Sequence, residues 1–363
     1  MDIKKLLLED FDRFGKMTVR EYLLYQKWYE INNKEWSSQE QQRMWEIKNS
    51  LWRSEDPDDY KKIEPEVIEV NDKNTSLTWN ILRVFIHTMP WRQNVGRLMK
   101  FIVMDKKTMT YLGILSLASD FVSLGPRDSF IKWTYDHRIK RKMLNYTAIG
   151  SCIVPSQPLG YNYTGGKLMT LMLCSDRVVD AWNRKYKEPL VGITTTSLYG
   201  GYSQYNSLKY WKKCGTSEGN IPLEPSEEMY QKIRNWVRET YPTDFEKITV
   251  NKDKVLSRPK SRLLLYSYTK MKVKPPVNNA PRGVYFCELV DGCNKFLSLK
   301  IKETGDKKFD NSISTLFSLW RDRYAKNRIS ILLKDNRYNT KSLFYDNIIG
   351  KTWNETREMY LNE

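Results

Sequence analysis

Residues Ser151–Gly201 read SCIVPSQPLGYNYTGGKLMTLMLCSDRVVDAWNRKYKEPLVGITTTSLYGG, and this stretch decides which fold class the chain must fit. An apolar strand at its start is followed by a polar loop, a helix expected from Lys167 to Trp182, and a second apolar strand at Leu190–Thr196. Strand, turn, helix and strand in this order predict an α+β protein with a mixed sheet flanked by helices.

A glycine pair stands where the helix of this unit begins. Gly165 and Gly166 let the backbone approach a ligand, and the amides at a helix N-terminus attract anions. Together with Lys167 they are predicted to bind a pyrophosphate-like cofactor group. A glycine pair is also a common turn, and that plainer alternative stays open.

The residues before this unit supply the other strands of the expected sheet. Two apolar runs, Leu98–Met104 and Tyr111–Leu117, are joined by a charged turn and predict an antiparallel hairpin. A short strand is expected at Pro65–Val70 and a helix at Ser76–Thr88. We therefore place a central α+β domain at residues 65–245, which the resemblance given below identifies as GNAT-like and transferase-like.

The two ends of the chain differ in charge. Residues 1–62 carry more acidic than basic side chains and the pattern of two or three amphipathic helices, which predicts a helical cap. Residues 250–363 are basic, and a DG turn between apolar runs predicts a hairpin at 283–301 with three helices after it. In outline this C-terminal region resembles a DNA-docking module of winged-helix type.

The overall charge points to a polyanionic partner. A formal net charge of +17 in 363 residues favours nucleic acid as a partner over a charge that serves solubility alone. Five cysteines, an odd number without CxxC spacing, and only two histidines predict no metal site and a reducing cytoplasm. The apolar runs are too short to span a bilayer, so no membrane role is expected.

Basic and aromatic side chains alternate in two segments. Residues 132–142 are expected to form a helix that contacts phosphates, and 203–217 bring rings that stack on bases. A solvated helix face explains the first segment equally well. The residues predicted to contact DNA are Arg97, Arg127, Lys132, Arg138, Lys140, Arg141, Tyr205, Lys209, Tyr210 and Trp211.

Several segments resemble known families. The order of elements matches the acyl-CoA N-acyltransferase (GNAT) fold. The segments HTMPWRQNVGRLMKFIV, YLGILSLASD and GGYSQYNSLKYWKKCGTSEG resemble Mom-type phage DNA-modification proteins. Separately, LGPRDSFIKW at 124–133 resembles the A-P-R-D-x-W-I-G-W signature of a domain in the A protein of the Druantia anti-phage system.

The Mom-type resemblance implies transfer of a small acyl-derived group to a DNA base, the adenine exocyclic amine in particular, which protects DNA from restriction. Such an enzyme flips the base into a pocket. By analogy Asp128, Ser197, Tyr199 and His87 are the catalytic candidates. Three have a structural alternative: Asp128 as a helix cap, Ser197 as a strand end, and His87 as a hydrogen-bonded histidine.

Two rival functions remain. One is a DNA-binding defence or counter-defence protein without catalysis, which the absence of a leading Arg or Gln before Gly165 favours. The other is a protein N-acetyltransferase, which the basic tail disfavours. The donor is not identified by the sequence, and an acyl-CoA-like molecule is one candidate.

Overall fold

The computed structural model describes residues 2–89, 96–197, 203–249, 259–339 and 348–361. A seven-stranded sheet lies at its centre with helices on both faces. Its strands, with a separate two-stranded ribbon, are β1 (Pro65–Glu69), β2 (Leu98–Asp105), β3 (Thr110–Ser119), β4 (Thr147–Pro155), β5 (Gly192–Thr196), β6 (Trp211–Ser217), β7 (Asn220–Pro222), β8 (Val277–Asn279) and β9 (Arg282–Glu288).

The α-helices of the described residues begin with three at the N-terminus and one between β1 and β2. They are α1 (Ile3–Gly15), α2 (Val19–Asn32), α3 (Ser38–Asn49), α4 (Lys73–Ile86), α5 (Gly125–Ile131), α6 (Gln157–Tyr163), α7 (Gly165–Leu173), α8 (Asp176–Tyr186), α9 (Glu227–Thr240), α10 (Pro242–Thr249), α11 (Pro259–Met271), α12 (Cys293–Leu297), α13 (Ile313–Leu319), α14 (Lys326–Lys334) and α15 (Trp353–Leu361).

The central sheet is mixed. Its order is β1-β2-β3-β4-β5-β9-β6, and β4 and β5 form its parallel pair. Two parallel neighbours need a crossover connection, and α6, α7 and α8 supply it. A mixed sheet flanked by helices confirms the α+β fold class. The β2–β3 hairpin also lies where its two apolar runs predict it.

Alternate side chains of the strands enter two cores. Phe101 and Val103 join the larger core with α7, α8 and α13, whereas Ile102 between them packs with residues of α3 and α4. Trp182 on α8 and Trp79 on α4 are almost fully buried on these two faces. Burying a large aromatic side chain removes ~200 Å² from water, so these two residues hold the helix layers on the sheet.

The N-terminal helices cap two parts of the molecule. Their number agrees with the sequence, and α3 begins with a capping box in which Ser37 and Glu40 bond each other's backbone amides. Helix α3 packs on α4, whereas Leu7 and Phe11 of α1 share a core with residues of α9 and α11. The cap therefore joins the sheet to the later helices.

The helix expected from Lys167 to Trp182 is two helices. Helix α7 ends before Ser175, which takes an extended conformation as the N-cap of α8 (φ −64°, ψ 152°). The Ser175 hydroxyl donates to the carbonyl oxygen of Met172 at 2.7 Å, so it bonds the end of α7 instead of continuing it. The polar loop before the glycine pair also contains a helix, α6, with Pro158 in its first turn.

The hairpin predicted at residues 283–301 is wrong. Strand β9 lies between β5 and β6, and the DG turn leads into α12 instead of a returning strand. Gly292 takes a left-handed conformation at the start of α12 (φ 72°), and Cys293 and Leu297, one turn apart, are both fully buried. Residues one helical turn apart lie on the same side of a helix, so α12 turns both side chains toward the core.

The expected boundary near residue 250 does not separate two cores. Strand β9, from the predicted C-terminal domain, pairs with β5 and β6 of the central sheet. Leu316 and Trp320, fully buried, belong to the same core as α7 and α8. The C-terminal residues thus complete the central unit, and no winged-helix arrangement is formed by the described residues of that region.

Candidate functional site

Strands β4 and β5 diverge after a short parallel pairing. Their register begins with Thr147 opposite Gly192 and ends with Ile149 opposite Thr194. Beyond that point β4 continues to Pro155 with pairing to β3 and, among the described residues, no strand partner on its other side. We call the region beside β4 beyond Ile149, where α7 packs on β4, the cleft between β4 and β5.

Side chains of the protein itself fill this cleft. Gln204 Nε2 donates to the carbonyl oxygen of Ile153 at 3.2 Å, and Thr195 Oγ1 donates to that of Gly150 at 3.2 Å. Tyr205 is 8% exposed, and its hydroxyl lies 3.4 Å from Thr195 Oγ1. The carbonyl groups of Gly150 and Ile153, which have no strand partner on this side of β4, therefore accept hydrogen bonds from the protein itself and need no ligand.

The predicted cofactor residues contact the same segment. A Cβ atom added to Gly166 would lie 2.0 Å from Gln204 Oε1, and one added to Gly165 would lie 2.9 Å from the backbone of Leu159. Lys167 Nζ donates to the carbonyl oxygens of Gln204 (3.0 Å) and Asn206. A pyrophosphate at this helix N-terminus would have to displace residues 204–206, because the Lys167 ammonium group already donates to their carbonyl oxygens.

Burial also weakens Lys167 as a cation. It lowers the pKa of the ammonium group to about 8, since the charged form is desolvated. The group is half-buried under Tyr324, whose ring centroid lies 5.2 Å from Nζ. The glycine pair and lysine therefore have an observed packing role, the plainer alternative for this motif.

The LGPRDSFIKW segment builds a buried ionic network at the N-terminus of α5. Arg127 is fully buried and pairs with Asp120 at 2.5 Å and with Asp128 at 2.7 Å. Arg138 contacts the other oxygen of Asp128 at 3.2 Å. Trp133 Nε1 donates to Asp128 Oδ1 at 2.8 Å, so the network links the motif's Arg, Asp and Trp.

Asp128 has no free oxygen in this network. Its Oδ1 accepts from Arg127 and Trp133, and its Oδ2 accepts the backbone N–H of Leu124 at 3.0 Å besides facing Arg138. Asp128 lies inside α5 and is not its N-cap residue, which is Leu124, but its carboxylate holds the backbone N–H of that residue. Arg127 and Arg138 are 0% and 7% exposed. The prediction that these two residues contact DNA is therefore corrected: they hold the buried network together.

The sheet side of the network reaches β5. Asp120 follows β3 directly, and its Oδ2 accepts from Thr194 Oγ1 at 2.7 Å. Its Oδ1 accepts the backbone N–H of Phe121 at 2.8 Å. Both acids of the network are therefore satisfied by fixed donors, and α5 is tied to the sheet by charge-assisted bonds.

Ser197 lies at the end of β5 and closes it against β9. Its Oγ accepts the backbone N–H of Gly283 at 2.7 Å, and its own N–H donates to the carbonyl oxygen of Gly283 at 2.8 Å. The residue is 2% exposed. Tyr199, the neighbouring catalytic candidate, lies outside the described residues.

His87 ends α4 inside a cluster of cations that the sequence did not reveal. Its Nδ1 accepts the N–H of Met89 at 2.9 Å. Burial, with Arg83 and Lys27 nearby, lowers the pKa of His87 well below its usual value, so the imidazole is neutral. Lys27 and Arg83 each lie 3.5 Å from one carboxylate, Glu30.

Lys27 is the most unusual member of this cluster. Its side chain is completely buried, and among the described residues its ammonium group donates to Glu30 at the long distance of 3.5 Å. Desolvation lowers the pKa of Lys27 to about 8. Lys27 sits in the helical cap, where an acidic surrounding sequence suggested only packing, so composition gave no signal for it.

The other residues predicted to contact DNA divide by exposure. Arg97 pairs with Glu188 at 2.6 Å, and Trp211 and Tyr205 are buried. Tyr210 stacks on Phe309 with ring centroids 3.8 Å apart. The exposed residues of the set are Lys132, Lys140, Arg141 and Lys209.

The basic segment is not the continuous helix that was expected. Lys132 takes a left-handed conformation (φ 62°) and ends α5, and Lys142 does the same (φ 57°) before a 3₁₀ turn at Met143–Tyr146. Between them lies a π-helical turn, Asp136–Lys140. These breaks let the buried Trp133 and Arg138 face inward while the other basic side chains point to solvent.

Within the described residues, no group of three or more His, Cys, Asp or Glu side chains is arranged to hold a metal ion. The five cysteines are free thiols, and four of them are buried. None of the described helices combines the length and apolar character that a membrane span requires.

Two comparisons with known proteins found matches. A family model described as Druantia protein DruA matches residues 15–298. The Druantia protein DruA of Escherichia coli (strain UMEA 4076-1) is 24% identical over 181 residues, which are 45% of this chain and 42% of that protein. The chain thus matches less than half the length of this curated relative. No solved structure matches.

These matches confirm the Druantia part of the expected resemblance. Neither match is to a Mom-type protein, so that resemblance remains a prediction.

Proposed function

Since the chain belongs to the Druantia protein DruA family, we propose that it serves anti-phage defence by binding DNA, without transferring a group to it. The net charge of +17 supports a polyanionic partner, because phosphate contacts by lysine and arginine release counterions. Exposed basic side chains at Lys132, Lys140 and Arg141 are available for such contacts.

One observation carries the choice of binding over transfer: the cleft where a transferase would hold its donor is filled by Gln204 and Tyr205. Lys167, which would hold the donor's phosphates, is bonded to backbone carbonyls there. The side-chain oxygens of Asp128 and Ser197 also accept hydrogen bonds from backbone N–H groups of the protein itself. A reaction centre needs at least one such group facing substrate.

The test combines DNA affinity with DNA chemistry. The purified chain is titrated with a fluorescent 30-base-pair duplex at several salt concentrations, and DNA from expressing cells is analysed by nucleoside mass spectrometry. We expect salt-dependent binding with unmodified nucleosides. An affinity that does not change with salt, or the absence of binding at low salt, would overturn the proposal.

A second function is favoured by the divergence of β4 and β5, which gives a cleft of the kind a transferase uses. In that case residues 204–206 would leave the cleft, an acyl-CoA-like donor would contact Gly165, Gly166 and Lys167, and the adenine amine would be flipped toward Asp128, Ser197, Tyr199 or His87. An adducted deoxynucleoside that appears with wild type and disappears with Ser197→Ala supports this function over binding alone.

A further inference from the structure

Basic side chains from three separate parts of the chain surround one small core. That core contains Ile131 and Trp133 beside α5, Phe286 of β9, and Cys293 and Leu297 of α12. We call the surface over this core the α5–α12 face. Its exposed cations are Lys132, Lys140, Arg141, Lys142, Lys212, Lys295 and Lys300.

Direct contacts hold the three parts of this face together. Tyr146 packs edge-to-face on Phe296 at 5.0 Å, which joins the turn after the basic segment to α12. Lys212 on β6 lies 5.9 Å from the ring centroid of Phe130 on α5. Residues 132–146, 212 and 293–300 are therefore packed side by side, although Tyr146 and Phe296 lie 150 positions apart in the sequence.

The ionic network of Arg127, Asp128 and Arg138 fixes the basic segment to this face. Arg138 lies inside the segment, and its Nε donates to the carbonyl oxygen of Val122 at 2.9 Å. Because the segment is anchored before and after Lys132, its exposed cations lose little further conformational entropy on binding. The network thus presents charge on a rigid support.

Two acids pair with these cations in the described part of the chain. Asp136 contacts Lys140 at 3.4 Å and Arg141 at 3.8 Å, but both basic side chains remain about 70% exposed. Glu288 is buried and pairs with Lys212 and Lys308. Exposed ion pairs of this kind contribute ~0–1 kcal/mol, so the fold does not account for the clustering of so many cations.

We propose that the α5–α12 face binds the sugar–phosphate backbone of duplex DNA. The proposal rests on the DNA-binding function above and assigns a surface to it. Tyr135, 58% exposed in the same segment, adds a ring beside the cations. Recognition is by phosphate charge, since six of the seven exposed cations are lysines, which contact phosphates as point charges.

The test uses two variants that remove the same charge. The face variant carries Lys132→Gln, Lys140→Gln, Arg141→Gln and Lys142→Gln. The control variant carries Lys61→Gln, Lys62→Gln, Lys106→Gln and Lys107→Gln, which line a shallow groove of about 740 Å³ that also contains Glu64 and Glu66. All eight side chains are exposed, so both variants are expected to unfold at wild-type temperatures.

Duplex affinity is measured at five salt concentrations for wild type and both variants. Each phosphate contact contributes about 0.9 to the slope of log K against log salt, so the face variant should lose up to about 3.6 from that slope. We expect more than a ten-fold loss of affinity at 150 mM salt, with the control variant close to wild type.

The possible outcomes distinguish an error in the assigned surface from an error in the proposed DNA-binding function. Equal losses in both variants, or a loss confined to the control variant, would overturn the α5–α12 face while DNA binding itself stands. A wild-type chain that does not bind duplex DNA overturns the proposed function instead. Tighter binding to an RNA duplex of the same sequence would also contradict the assigned partner.

Discussion

At the residue scale, Asp128 is a motif residue whose side chain stabilises the fold through its contacts with neighbouring groups. It accepts from Arg127, Trp133 and a backbone amide, with Arg138 alongside, inside a site that is almost closed to water. Buried charges are tolerated when each has partners, and removal of one partner leaves the others uncompensated. In this segment, which resembles the Druantia signature, the contacts of Asp128 hold the start of α5.

Asp128→Asn is expected to destabilise the protein strongly. The substitution keeps the size of the side chain but leaves two buried guanidinium groups short of a carboxylate, which costs about 3–5 kcal/mol in the free energy of unfolding. Urea unfolding measures the loss, and Asp136→Asn, at an exposed position in the same segment, is the matched control. A change below 1 kcal/mol at Asp128 would contradict the network's structural role.

For Lys27 we predict the opposite effect, a gain in stability when the charge is removed, because this charge is buried with one long contact to Glu30. Its folded pKa is lowered to about 8, so between pH 8 and the usual lysine pKa the unfolded state binds more protons than the folded state. Stability from this group therefore rises with pH across that window, and the full burial cost is present below it.

We expect Lys27→Met to stabilise the protein at pH 7 by roughly 1–3 kcal/mol, since methionine fills the space without a charge. The rise in stability between pH 8 and 10 should be smaller in the variant than in wild type. Urea unfolding at pH 7, 8, 9 and 10 tests both statements, with Lys4→Met on the exposed side of α1 as the control. Destabilisation at pH 7 would show that the ion pair with Glu30 outweighs the burial cost.

At the element scale, the cleft between β4 and β5 is closed by a segment from elsewhere in the sequence. Gly166 at the start of α7 has no room for a side chain, because Gln204 occupies the position that a Cβ atom would take. Lys167 then bonds the backbone of residues 204 and 206. The helix start and the segment are therefore expected to be energetically coupled.

A double-mutant cycle tests this coupling. Gly166→Ala alone should destabilise the protein, because the new methyl group collides with Gln204, and Gln204→Ala should relieve part of that cost. We expect an interaction free energy of about 1–2 kcal/mol from urea unfolding of the four proteins. Additive effects would mean that residues 204–206 do not rest on α7 in solution.

At the scale of the whole molecule, the sheet joins distant parts of the chain. Strand β9 lies between β5 and β6, so the last third of the sequence completes a sheet that the first two thirds begin. The helical cap in turn packs on both the sheet layer and α9 and α11. One cooperative unit is the expected consequence.

A fragment of residues 1–245 should therefore fail to fold, although it contains the entire central domain expected from sequence. Without β9, strand β6 has no neighbour in the sheet and the core loses Tyr285 and Cys287. Circular dichroism and limited proteolysis measure the defect. Co-expression with residues 246–363 as a separate chain should restore a protease-resistant complex, and a stable isolated fragment would contradict this view.

Local patterns sufficed for the parts that depend on neighbouring residues. Two apolar runs joined by a charged turn in 98–117 predicted the hairpin, and the amphipathic pattern of residues 1–62 predicted helices. The segment LGPRDSFIKW carried the resemblance to the Druantia domain. These features follow from residue spacing of two or three to four positions, which the sequence displays directly.

Tertiary structure alone decided what each polar group contacts. Two of these features bring together residues far apart in sequence: the insertion of β9 between β5 and β6, and the filling of the cleft by Gln204. Two others depend on which side chains face inward: the burial of Lys27 and the contacts that surround Asp128. No local period encodes them, because burial and pairing depend on which distant surfaces meet. That is why the sequence identified a basic segment but not which of its basic residues face the solvent.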